Sequence, residues 1–327
     1  MRTTLDETAA PSVTDGDITV ASLEESDLAA ADAVLRLAFG TALGLPEPQR
    51  FAEGTELVRT RFRADPARAF KAEAGSELVG CVFVSRWGSY SLFGPLAVRP
   101  DYWDRGVGRL LWEACLPPLE RWRAAHTALF TRAEPKNVHL YQKLGFWPGS
   151  LTALTGKQLD VVPSPVVSHP FSELPAGARE GALADCRLLT DALYPGLDLE
   201  QEIRSVDLQA LGDTILLDDE GGICGFAVCH AGAGSEAGPG ACYLKFATVR
   251  HGEGTPQRFE RLLDACEGYA AARGLTRLLA GVNTGRHEAY RSLLDRGHRA
   301  FAFGVAMHRP NEPGYDRPGV YTVDDGR

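Results

Sequence analysis

No stretch of this chain reaches the ~18 consecutive apolar residues that a helix needs to cross a bilayer, so no membrane span is readable. The opening MRTTLDETAAPSVTDGD lacks the apolar core of a secretory signal; it predicts a cytoplasmic chain with a frayed, flexible tail over residues 1–17. CxxC is missing. The seven cysteines (Cys81, Cys115, Cys186, Cys224, Cys229, Cys242 and Cys266) are odd in number and sit mostly in apolar surroundings, which predicts buried, reduced thiols rather than a disulfide framework. No HExxH or Cys/His cluster occurs among the eight histidines, and HEAYR at 287–291 places arginine where a second ligand is needed, so no metal is expected. Positive charge is outweighed, 34 Lys and Arg against 43 Asp and Glu, for a net charge of −9. That argues against nucleic acid or an anionic membrane as partner and suits a cationic substrate such as an amine.

What is present is an ordinary globular composition, 44% hydrophobic and 24% charged, over 327 residues, enough for about two domains. The first half reads as a strand at 18–23, then a helix with Leu28, Ala31, Val34, Leu35 and Phe39 at helical spacing and Gly40 as its stop. The arginine-rich stretch 50–68 reads as a second helix, and AFKAEAGSELVGCVFVSRW as a hairpin around Gly-Ser. YSLFGPLAV is a further strand, followed by a helix that Pro117 and Pro118 should kink or end. TALFTR is a short strand, KNVHLYQKL a short helix, and FWPGSLTALTG extended chain. The same order recurs in the second half: CYLKFATVR answers SLFGPLAVR, and HEAYRSLLDRGH answers HLYQKLGF with Tyr290 matching Tyr141. The proline-rich stretch 156–170 reads as a linker, giving expected domains at 18–160 and 161–327.

Between LFGPLAV and the helix beginning near Leu110 stands DRGVGRLL, with two glycines one residue apart. A strand, a glycine turn and a helix start together make an anion site, because the first helical N–H groups have no intrahelical partner and glycine lets a phosphate approach them. Arg105 and Arg109 flank the turn. No G-K-S/T follows, and Leu111 fills the third glycine's place of GxGxxG, so neither of those nucleotide loops is present.

LAVRPDYWDRGVGRLL resembles the coenzyme A pyrophosphate motif, Q/R-x-x-G-x-G/A, of the GNAT N-acetyltransferase superfamily, and HLYQKLGF resembles the helix that follows it there. The resemblance covers about residues 18–155. Two departures stand out: Trp103 occupies the Q/R position, and Glu134 lies seven residues before Tyr141 where many members carry asparagine, Asn137 being four before. The resemblance implies an α/β fold with a mixed, mostly antiparallel sheet and a V-shaped gap in each of two tandem domains. It implies acetyl-CoA bound by Leu96, Ala97, Val98, Arg105, Gly106, Val107, Gly108, Arg109 and Asn137. It implies direct transfer of the acyl group to a small-molecule amine, with Tyr141 as acid; the amine also needs a base, and Glu134, just after the short strand, is the candidate for it. In the second half, Arg258 and Glu260 are read at the positions of Gly106 and Gly108, so that half is expected to lack the cofactor turn. Another acyl donor, an oxygen acceptor, or a non-catalytic acyl-CoA sensor are the rival expectations on the same scaffold.

Overall fold

The alternating apolar residues of the strand-like runs build one sheet with helices on both faces in the computed structural model, which describes residues 13–159 and 168–326. The first half runs β1 (Val13–Asp15), β2 (Ile18–Ser22), α1 (Leu28–Ala42), α2 (Leu57–Ala64), β3 (Ala69–Ala74), β4 (Glu77–Trp87) and β5 (Tyr90–Val98). It continues through α3 (Val107–Arg121), β6 (His126–Thr131), α4 (Pro135–Lys143) and β7 (Trp147–Gln158). The second half holds β8 (His169–Pro170), α5 (Ala176–Asp191), α6 (Glu200–Leu208), β9 (Gly212–Asp219), β10 (Gly222–Ala231) and β11 (Ala241–Val249). It ends with α7 (Thr255–Ala272), β12 (Arg277–Asn283), α8 (His287–Asp295), β13 (Arg299–Arg309) and β14 (Thr322–Val323). None of the described helices is long and apolar enough to cross a membrane.

Alternation along β4 shows how the layers form. Val82 and Val84 point into a core with Leu110, Leu111 and Cys115 of α3, while Cys81 and Phe83 point to the opposite face, against Ala31, Val34 and Leu35 of α1. In the second half Ile215, Ala227 and Cys229 pack under α7, whereas Leu216, Phe226 and Val228 meet Leu183 of α5 and Ile203 of α6. All seven cysteines are free and buried.

The two halves do not own separate sheets. The strand order is β1-β2-β3-β4-β5-β6-β13-β7-β12-β11-β10-β9-β8, with β14 pairing to β11. β13, from the end of the second half, lies between β6 and β7, pairing Val305 with Thr131 and with Leu151. β7, from the end of the first half, pairs with β12, Ala153 opposite Val282. Each half therefore lends its closing strand to the other.

Three local expectations are corrected. Val13–Asp15, inside the expected tail, forms β1 and pairs with β2 across a Gly16–Asp17 loop, and Gly-Asp as a two-residue loop is a hairpin signal, the glycine taking positive φ. Residues 1–12 lie outside the described residues, as do 160–167 of the expected linker, whose first residues belong to β7. Pro117 and Pro118 do not end α3, which continues to Arg121. Proline removes one intrahelical donor each, and the packing of Cys115, Pro118 and Leu119 outweighs that loss.

Four histidines, His126, His230, His298 and His308, are buried. Burial pushes His126 down to about 3, helped by neighbouring His308, and His230 and His298 down to about 4. Their folded values lie below that of an unfolded histidine, so their contribution is complete above pH ~6.5 and is lost as pH falls toward the folded values. Each removes about 1.4 kcal/mol per pH unit in that window, and stability should drop by at least ~2 kcal/mol between pH 6.5 and 5. Thermal unfolding at stepped pH checks this; a midpoint unchanged down to pH 5 contradicts it.

Candidate active site

β5 and β6 run parallel and pair only from Tyr90–His126 to Leu92–Ala128. Past that point β5 carries a bulge: Val84 faces Phe93 and Val82 faces Leu96, leaving Gly94 and Pro95 opposite a single residue of β4. The strands then separate, and no strand pairs with Leu96–Val98 on the β6 side among the described residues. This is a V-shaped gap.

At its far end the chain passes through the glycine turn. Gly106 is the N-cap of α3 at φ 80°, ψ −2°, a left-handed conformation that costs a residue with a Cβ about 1–2 kcal/mol. Arg109 and Leu110 both donate their N–H to the Gly106 carbonyl, whereas the amides of Val107 and Gly108 find no partner among the described residues. A Cβ on Gly108 would meet Leu96 of β5 at 3.6 Å and Leu140 of α4 at 3.9 Å, so this position faces the gap between those elements. Arg105 stacks its guanidinium on Tyr102 at 4.8 Å, and Arg109 pairs with Glu113 at 2.8 Å. Trp103 donates its indole N–H to the Val98 carbonyl at 2.6 Å, which ties the turn to the strand end.

Tyr141 spans the gap's inner wall. Its ring meets Phe93 of β5 and Phe146 edge-on, and Thr131, the last residue of β6, faces its hydroxyl. Burial pushes the phenol up to about 12, so the proton stays on at neutral pH. Glu134 precedes α4 as its N-cap and its side chain accepts from no helix N–H; its carboxylate pairs with Arg132 and accepts from Asn137 Nδ2 at 3.1 Å. Arg132 also donates to the Ala42 carbonyl at the end of α1, closing the space between α1 and α4.

The second half repeats the geometry with a different outcome. β11 and β12 pair from Ala241–Arg277 to Leu244–Ala280 and then part, and β11 carries its own bulge at Lys245. Here, however, β14 enters the gap: Val323 and Thr322 pair with Ala247 and Thr248, and Asp324 bridges to Val282. Arg286, buried, holds this segment through Asp316 and Asp324, each at 2.6 Å. The expected register of the second turn is corrected. Gly254, not Arg258, is the N-cap of α7, at φ 77°, ψ 9°, because the loop after β11 is shorter than the loop after β5. That helix start offers little to an anion, since Thr255 N–H donates to the Gly252 carbonyl and Pro256 has no N–H.

The sequence reading missed a buried charged group between the halves. Arg61 of α2 pairs with Glu236 at 3.0 Å, and Lys245 pairs with Glu236 at 2.8 Å and Glu202 at 3.0 Å. Four ionisable residues scattered over α2, α6, β11 and a loop share no spacing that a sequence pattern could reveal.

Comparison of the sequence with curated proteins gives no match. The family model of the acetyltransferase (GNAT) domain matches residues 65–148, from the approach to β3 to the start of β7. Among solved structures the chain is similar to a Pyrococcus horikoshii protein described as an acetyltransferase, at TM-score 0.66 and 13% identity over 99% of both chains. It is similar to a GCN5-related N-acetyltransferase from Sphaerobacter thermophilus, at TM-score 0.57 and 18% identity over 96% of this chain and 99% of that one. It is also similar to the glucosamine N-acetyltransferase region of a fungal multi-domain GH3 β-N-acetylglucosaminidase, at TM-score 0.61 and 14% identity over 93% of this chain and 39% of that one. These structural likenesses establish the fold, and the family match supplies the chemistry. Residues 65–148 thus carry a GNAT acetyltransferase domain, and the chain is an acyltransferase.

Proposed function

We propose that the chain transfers an acetyl group from acetyl-CoA to a small-molecule amine, with the cofactor in the first-half gap. The observation that carries this reading is the pair of helix amides, Val107 and Gly108, that have no partner among the described residues, at the open end of a strand whose inner edge those residues also leave unpaired. Residues 18–160 then form the cofactor-binding unit and 161–327 a related unit whose gap β14 fills. The pyrophosphate would rest on the amides of Val107 and Gly108, with Arg105 and Arg109 adding charge at the rim. The pantetheine arm would add to the sheet along Leu96, Ala97 and Val98, with Asn137 at the α4 side. Acetyl-CoA supplies the acyl group already activated as a thioester.

The chain's own part is positioning and proton management. The amine must attack uncharged, and Glu134, oriented by Arg132 and Asn137, is the carboxylate assigned to take its proton. Tyr141 keeps at Oη the proton that the leaving sulfur needs, since its raised value holds the phenol neutral. The net charge of −9 favours the approach of a cationic acceptor.

Calorimetric titration with coenzyme A should give one site per chain; two equal sites contradict the assignment of the second gap. Gly108→Val should abolish that binding while the protein stays folded, because the first added carbon makes only ordinary contacts and the branches enter the gap. A folded valine variant that binds normally removes the turn from the site. Tyr141→Phe keeps the ring contacts and deletes Oη, so turnover with a verified amine should fall by about 10²-fold with coenzyme A affinity little changed. Wild-type turnover by the phenylalanine variant would leave Tyr141 a packing residue.

A further inference from the structure

The bulges of β5 and β11 are joined through the interior. Arg61 donates Nη1 to the carbonyl of Gly94, in the β5 bulge, at 3.2 Å and Nη2 to Glu236 at 3.0 Å. Glu236 also accepts from Lys245, the extra residue of the β11 bulge, at 2.8 Å. Lys245 pairs in turn with Glu202, which accepts from the Trp87 indole N–H at 3.3 Å. All four charged side chains are at most 8% exposed. Two positive and two negative groups balance, and His230, which accepts from the Glu236 N–H, is held neutral by burial.

A buried, balanced set of this kind is poorly explained by stability, because replacing such pairs by apolar residues is often neutral or favourable. Its reach to one particular carbonyl suggests another use. Gly94 is where β5 leaves β6, and Gly94 has no side chain to hold its own peptide in place. Arg61 has a planar fork that can serve a carboxylate and a carbonyl together, which a lysine ammonium on a single stem cannot match. Its third donor nitrogen, Nε, is buried and has no partner among the described residues.

We propose that Arg61, clamped by Glu236 of the second half, is a positioning residue for acyl transfer: it fixes the Gly94 peptide and so the course of Leu96–Val98 along the gap. The second half thereby takes part in the reaction of the first without binding cofactor. This rests on the placement of coenzyme A in the first gap, and the experiment separates the two.

The full chain is titrated with two probes, coenzyme A and adenosine 3′,5′-bisphosphate, which carries the nucleotide end without the pantetheine arm. Arg61→Lys keeps a cation for Glu236 but gives up the fork. It should weaken coenzyme A by about tenfold while the bisphosphate binds within about twofold of wild type. Glu236→Gln, altered in the other half, should show the same selective loss. Coenzyme A binding unchanged in Arg61→Lys overturns the proposal. Equal loss of both probes, or a lysine variant that does not fold, makes Arg61 an element of the fold and overturns it as well. A wild-type chain that binds the bisphosphate but gains nothing from the pantetheine arm refutes the cofactor placement itself.

Discussion

The seam β6-β13-β7-β12 is the constraint on which everything else rests. Because β13 and β7 change places, the wall of each gap is backed by a strand of the opposite half: β6, beside the first gap, by β13, and β12, beside the second, by β7. Strand pairing sets a register in which a slip of one residue would turn every side chain to the wrong face. With Val305 and Met307 on the face that packs under α3, that register also places Thr131 at the end of β6, where it meets Tyr141. The site in the first half is thus aligned by residues more than a hundred positions further on.

The two gaps show how little separates a place for a ligand from a place for the chain itself. Both begin at a short parallel pairing, both carry a bulge, and both lead to a helix capped by a left-handed glycine. In one, the strand edge and two helix amides have no partners among the described residues. In the other, Thr322 and Val323 take the edge, the Gly252 carbonyl takes one amide, and proline removes the next. The buried Arg286 with Asp316 and Asp324 holds the filling segment as a charged anchor.

Much of this was legible in the sequence where the signal is local. Strand-like apolar runs located β4, β5 and β11, and helical spacing located α1. Glycines 106 and 108 marked a turn whose conformation the structure bears out, with Gly106 at positive φ. Signals that depend on distance failed. Nothing in FWPGSLTALTG says that its partner is β12, since strand character does not name a neighbour. Matching the halves element by element placed Arg258 at the second turn, whereas the helix begins at Gly254, because a loop can shorten without changing the elements it joins. Tyr315, Asp316 and β14 lie in a proline- and glycine-rich stretch with no periodicity, yet Tyr315 is fully buried and the strand fills a gap.

The exchanged strands also bear on how the chain reaches its native state. Thr131 pairs with Val305, so the central seam closes across more than half of the chain. Contacts this remote in sequence are made late and slowly, because the entropy of closing so large a loop is lost before any pairing offsets it. Until residues 299–309 arrive, β6 offers an open edge, and such an edge pairs readily with strands of other chains. The same crossing that aligns the site makes the folding of each half conditional on the other, and leaves a partly made chain exposed to association for the whole of that interval.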